Sequence, residues 1–177
     1  MKVYRVEQRE GKLYHEPIAE DFQVTNSISW SLDGTTMYLA DSPTSQIHAY
    51  DYDSATGGIS NKKLLHTKSD PEDGVPDGSC VDAEGFLWNA VWRSNGAGPG
   101  MVQRIDPSTG QVVFTVNMPD ATSQITCCCF GGRDLDILFI TTAAENRDAA
   151  AEPDAGGLYA VKLPFKGLPE SRLNFTF

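Results

Sequence analysis

The stretch PDGSCVDAEGFLWNAVW, residues 76–92, decides the fold. A segment with alternating apolar residues ends in the turn DAEG and a second apolar run follows at once, so the stretch reads as two strands joined by a tight hairpin. The pattern returns on both sides. TMYLADS, FLWNAVW and ILFITTA begin near residues 36, 86 and 137, which sets them 50 and 51 residues apart. A strand ending in a turn precedes each of them (NSISWSLDG, DGSCVDAEG, TCCCFGGRD), and a strand running into a glycine-closed turn follows (QIHAYDYDSATGG, MVQRIDPSTGQ, GLYAVKLPFKG). KKLLHT and VVFTVNM supply a fourth strand. A repeat of about 50 residues and four strands predicts the blades of a β-propeller.

The same pattern fixes how the chain begins. KVYRVEQREGKLY matches the third strand of the repeat and its turn, yet the two strands that should come before it have no counterpart upstream. The expectation is an all-β chain of about three and a half blades, residues 1–177 forming one partial domain of a longer, truncated ring.

Composition narrows the function. Fourteen Lys and Arg against 24 Asp and Glu give a formal net charge of −10, which opposes binding to nucleic acid or to an anionic membrane surface. No run approaches the roughly 18 apolar residues of a membrane span, and the charged start lacks the apolar core of a signal peptide. A cytoplasmic chain is expected. Cys80, Cys127, Cys128 and Cys129 match no zinc spacing, since adjacent cysteines of a strand point to opposite faces. They read as small buried residues of inner strands in a reducing compartment.

Candidate site residues follow from the repeat. Asn26 and Asp77 stand 51 residues apart, one blade, at the start of the strand that leads each blade; the next equivalent place is near Thr126. Leading strands line the central channel of a propeller, so the two oxygens should converge there as hard ligands for a divalent cation. The alternative is local, because Pro-Asp-Gly is a common turn and Asn and Asp both bond their own backbone. On spacing alone the turn reading stands ahead.

Taken together, NSISWSLDGTTMYLADS, PDGSCVDAEGFLWNAVW, RIDPSTGQVV, TCCCFGG and EPDAGGLYAV resemble the carboxy-terminal half of the regucalcin and gluconolactonase (SMP-30) family. Its members read N-G-(apolar)-x-W-S-x-D, then P-D-G-(x)-x-V-D-x-E-G-x-L-W, then C-x-F-G-G. The resemblance implies a six-bladed propeller with a divalent cation in the channel, hydrolysing sugar lactones. It makes Asn26 and Asp77 metal ligands and Asp77 the proton donor and acceptor, and so reverses the ranking against the turn. The ion could be calcium, zinc, magnesium or manganese. The family's amino-terminal glutamate ligand and its substrate-gripping arginine and asparagine have no counterpart here, and Ser27 replaces a glycine. Impaired activity is therefore expected, and the alternative is a non-catalytic calcium-binding regulatory propeller or scaffold. The expected partner is a small lactone, with self-association through exposed blades.

Other features read as structure. No Gly-x-Ser-x-Gly is present and His15, His48 and His66 lie in unrelated contexts, which argues against a triad hydrolase. Asp70, Glu72 and Asp73 read as a solvated loop, and Asp51 and Asp53 as a strand entering a hairpin turn. Trp30, Trp88 and Trp92 read as blade packing. AENRDAAAEPDAGG reads as a lid over the channel mouth or as a disordered loop.

Overall fold

The computed structural model describes residues 1–68, 74–94, 98–119 and 122–172. Among the described residues, thirteen strands fall into four antiparallel sheets, each a meander in chain order. The first is a two-stranded ribbon, β1 (Val3–Arg9) and β2 (Lys12–Ala19). Two four-stranded sheets follow, β3 (Thr25–Trp30) to β6 (Gly58–Thr67) through β4 (Thr36–Asp41) and β5 (Gln46–Asp53), then β7 (Val75–Val81) to β10 (Val112–Asn117) through β8 (Leu87–Trp92) and β9 (Met101–Ile105). The last sheet has three strands, β11 (Ile125–Gly131), β12 (Ile137–Thr142) and β13 (Leu158–Lys162). These are the blades that the repeat predicts.

Consecutive sheets stack face to face. Met37 and Leu39 of β4 pack toward the first ribbon with Val3, Phe22 and Tyr50, while Tyr38 and Ala40 pack with Ile47, Leu87 and Ile105 of the next seam. Trp88 and Ala90 of β8 turn to the last sheet, against Cys128, Phe130, Leu138 and Ile140. Second strands are thus covered on both faces, which is why TMYLAD and LWNAV read as continuous apolar runs rather than alternating ones.

The far hairpin of the second blade explains its motif. Asp82 is fully buried and fully bonded: Oδ1 accepts the backbone N–H groups of Glu84 and Phe86, and Oδ2 accepts Trp88 Nε1 and Arg104 Nε, each at 2.8 Å. Gly85 takes the positive φ of 89° that closes this turn. Arg104 lies between the rings of Phe86 and Phe165, 3.7 and 4.2 Å from their centroids, so its charge is shielded by stacked faces as well as paired.

Several side chains depart from expectation. Trp88 is 0% exposed, whereas Trp30 is 41% exposed with its ring edge-on to Tyr52. Cys128 is buried in the Trp88 core, but Cys127 and Cys129 are exposed. Asp53 makes the turn predicted for it, accepting Ala55 N–H and Thr56 Oγ1. Among the described residues, no helix is long and apolar enough to cross a membrane.

Candidate functional site

The blades' inner strands β3, β7 and β11 lie side by side, and each breaks register near its start: between Asn26 and Ser29, between Pro76 and Ser79, and between Ile125 and Cys127. Such bulges re-aim side chains where pairing is interrupted. Hairpin register aligns the three strands. Trp30 pairs with Met37, Val81 with Leu87 and Phe130 with Leu138, the second-strand partner facing the preceding seam in each case, and counting back four residues gives Asn26, Asp77 and Thr126. In this register Asn26, Asp77 and Thr126 occupy equivalent places, as the repeat predicts.

Close approach dictates the residue types at these bulges. A Cβ on Gly78 would sit 2.5 Å from Cys127 Sγ, 2.7 Å from Cys127 Cβ and 2.8 Å from the Thr126 carbonyl oxygen, so only glycine lets β7 meet β11 there. Ser27 occupies φ +61°, a left-handed conformation that suits the family's glycine better, and is 2% exposed. Its hydroxyl is not idle, since Ser27 Oγ lies 2.5 Å from Ser79 Oγ on the neighbouring inner strand.

Asn26 and Asp77 are linked by bonds that cross the blades. Asn26 Nδ2 donates to Ser42 Oγ (2.9 Å) and Ser42 Oγ donates to the Pro76 carbonyl (2.7 Å), next to Asp77. Asn89 Nδ2 reaches both Ser79 Oγ (2.9 Å) and the Asp77 carbonyl (3.3 Å). Asp41 holds the chain just before the site, its Oδ1 accepting the N–H groups of Gln23 and Val24. Because the Asn26 amide nitrogen is committed to Ser42, its oxygen is the end left to bind something else.

Asp77 is half-buried, and burial pushes its carboxyl up to about 6, with the Gly78 N–H pulling in the other direction. Among the described residues, no Lys, Arg or His forms an ion pair with it. A partly desolvated carboxylate and a neutral amide oxygen are both hard donors, the kind that suits a divalent cation. Among the described residues, no group of three His, Cys, Asp or Glu side chains could hold a metal ion.

The remaining candidates sort themselves. His15 lies against Tyr4, His48 is buried on β5 with its pKa lowered by burial, and His66 Nδ1 contacts the Gly110 carbonyl. Asp70, Glu72 and Asp73 lie outside the described residues. The loop from residue 143 to 157 is pinned rather than loose: Glu152 accepts both the N–H and the hydroxyl of Ser123, and Gln124 pairs both ends of its amide with Glu145 backbone. Ser42, Ser79 and Asn89 were missed by sequence reasoning. Asn89 had a signal, a polar residue inside the apolar run LWNAV, and it is 1% exposed.

Comparison with known proteins identifies the family. The profile of the SMP-30/Gluconolactonase/LRE-like region matches residues 1–144. Regucalcin of Danio rerio is 42% identical over 154 residues, covering 85% of this chain and 50% of the relative, and regucalcin of Bos taurus is 37% identical over 175 residues, 93% and 56%. The chain thus spans about half the length of the curated relatives it matches. Among solved structures, a calcium-binding protein, regucalcin, from Agrobacterium tumefaciens superposes with a TM-score of 0.80 at 32% identity, covering 97% of this chain and 56% of that one. A gluconolactonase of Xanthomonas campestris gives 0.64 at 28%, covering 92% and 44%. With its blade-like sheets, its paired bulges and these matches, the chain belongs to the SMP-30/gluconolactonase/LRE-like family, which includes the regucalcins.

Proposed function

We propose that the chain carries part of the channel site of a divalent-metal-dependent sugar-lactone hydrolase, with Asn26 and Asp77 as two cation ligands and Asp77 also as the proton shuttle. One observation carries the reading: an amide oxygen and a half-buried carboxylate stand at equivalent bulges of adjacent inner strands, tied through Ser42. A bound calcium, zinc, magnesium or manganese ion would supply polarisation of the lactone carbonyl. Asp77 takes a proton from the attacking water as its oxygen bonds to the carbonyl carbon. It returns that proton to the ring oxygen as the ester C–O bond breaks, leaving the hydroxy acid. Four free cysteines support a cytoplasmic location, where thiols stay reduced.

A second reading, cation binding without turnover, is favoured by the short ligand set, since no group of three ionisable ligands is found among the described residues. Two ligands hold a hard cation weakly, so the reading includes slow turnover by these 177 residues alone. The test is proton release from a panel of aldonolactones by the purified chain, with each of the four ions and with chelator. Cation-dependent release that disappears in Asp77→Asn supports hydrolysis. Cation binding with no release on any lactone selects the second reading, and release that persists in Asp77→Asn removes Asp77 from the chemistry.

A further inference from the structure

The Asn26 and Asp77 pair is held by two separate hydrogen-bonded straps, and both cross from the β3–β6 sheet to the β7–β10 sheet. The first runs from Asn26 Nδ2 through Ser42 Oγ to the Pro76 carbonyl. Ser42 is buried, and it belongs to the short 3-10 turn that follows β4, so its hydroxyl stands one carbon from a backbone held in regular structure. The second runs from Ser27 through Ser79 and Asn89 to the Asp77 carbonyl. Asp77 is therefore bracketed, with the carbonyl before it held by Ser42 and its own carbonyl held by Asn89. Asn26 is bracketed too, with its side chain on Ser42 and its next residue on Ser79.

We infer that Ser42 and the Ser27–Ser79 pair are positioning residues that set the separation and orientation of Asn26 and Asp77 for a hard divalent cation, an inference that rests on the ligand roles proposed above. Neither strap touches the cation. Their chemistry is that of outer-shell partners, which orient ligands and prepay the entropy of bringing them together. Ser27 is informative here, because a serine at φ +61° carries backbone strain that glycine would not, and its hydroxyl bond is what the strain accompanies.

The experiment is a titration of the 177-residue chain with Mn2+, followed by loss of the free-ion electron paramagnetic resonance signal, for the wild type, Ser42→Ala, Ser42→Thr, Ser79→Ala and Asp77→Asn. Thermal unfolding of each cation-free variant is measured alongside. Ser42→Ala and Ser79→Ala should weaken Mn2+ binding by about tenfold or more, and Ser42→Thr, which keeps the hydroxyl, should restore most of the loss. A merely structural role would lower the melting temperature and leave the affinity of the folded protein unchanged. Wild-type affinity in both alanine variants, with binding lost in Asp77→Asn, would overturn the straps and leave the ligand reading standing. A wild type that does not bind, or an Asp77→Asn that binds equally well, would overturn both. Should Ser42→Ala fail to fold, Ser79→Ala at the other strap carries the test.

Discussion

The seam between the β3–β6 and β7–β10 sheets and the seam between the β7–β10 and β11–β13 sheets share one blade but are made differently. The first has a modest core of Tyr38, Ala40, Ile47, Leu87 and Ile105, and at its channel end it is crossed by Ser42, Ser27 and Ser79. The second has an aromatic cluster in which Trp88 meets Phe130 edge-on at 5.3 Å and Phe165 at 5.4 Å, with Phe114 alongside, and at its channel end backbone and sulfur touch with no room for a Cβ. Hydrogen bonds fix direction while contributing modest net stability, whereas buried aromatic area contributes stability with less directional demand. One seam orients; the other anchors.

Four substitutions can break or sharpen that contrast. Trp88→Ala removes the centre of the aromatic seam and one partner of Asp82, and it should cost about 3–5 kcal/mol in urea unfolding. A loss below about 1 kcal/mol, the scale of a single hydrogen bond, would erase the distinction between the seams. Gly78→Ala should cost about 1–3 kcal/mol by overpacking against Cys127 and Thr126. Part of that cost should return in the double variant with Cys127→Gly, and no coupling between the two sites would show that they do not touch. Ser79→Ala in the polar seam should cost only about 0.5–1.5 kcal/mol, measured by the same unfolding curves.

Asp77→Asn has the opposite sign. Burial raises the carboxyl to about 6 from an ordinary 3.8, so the folded state binds its proton more tightly than the unfolded chain does. The stability this contributes is fully present below pH 3.8 and is lost as pH rises through 6. At neutral pH without cation, Asp77→Asn should therefore melt slightly higher than wild type. Its melting temperature should also lack the wild type's fall between pH 4 and 7, which differential scanning fluorimetry can follow. Identical pH profiles for the two proteins would mean that Asp77 is well solvated.

Much of this was legible in the residues. The repeat near 36, 86 and 137 marked the second strands, and Asp82, Gly85 and Trp88 of the quoted stretch proved to be one hydrogen-bonded hairpin. Asn26 and Asp77 could be aligned because their strands keep the same length to the turn. The turns themselves differ: Ser31 N–H bonds the Thr36 carbonyl, whereas Asp82 N–H bonds that of Phe86, one residue sooner. Ser42 and Ser79 were invisible because their partners lie on another sheet, and no local pattern encodes which hydroxyl faces which carbonyl. Exposure of Cys129 and burial of Cys128 depend likewise on which face of β11 meets the Trp88 core. Order in the loop from residue 143 to 157 depends on Glu152 finding Ser123 across 29 residues.

Phe165 has a consequence for how the chain folds in time. It lies beyond β13, yet it closes the second face over Arg104, a residue of β9, and joins the rings around Trp88. On a growing polypeptide the strands β7 to β10 emerge before Phe165 does, and until it arrives one face of the Arg104 guanidinium lacks the ring that covers it in the finished protein. The blade from β7 to β10 is thus completed late, by a contact of high sequence separation, and such contacts slow folding.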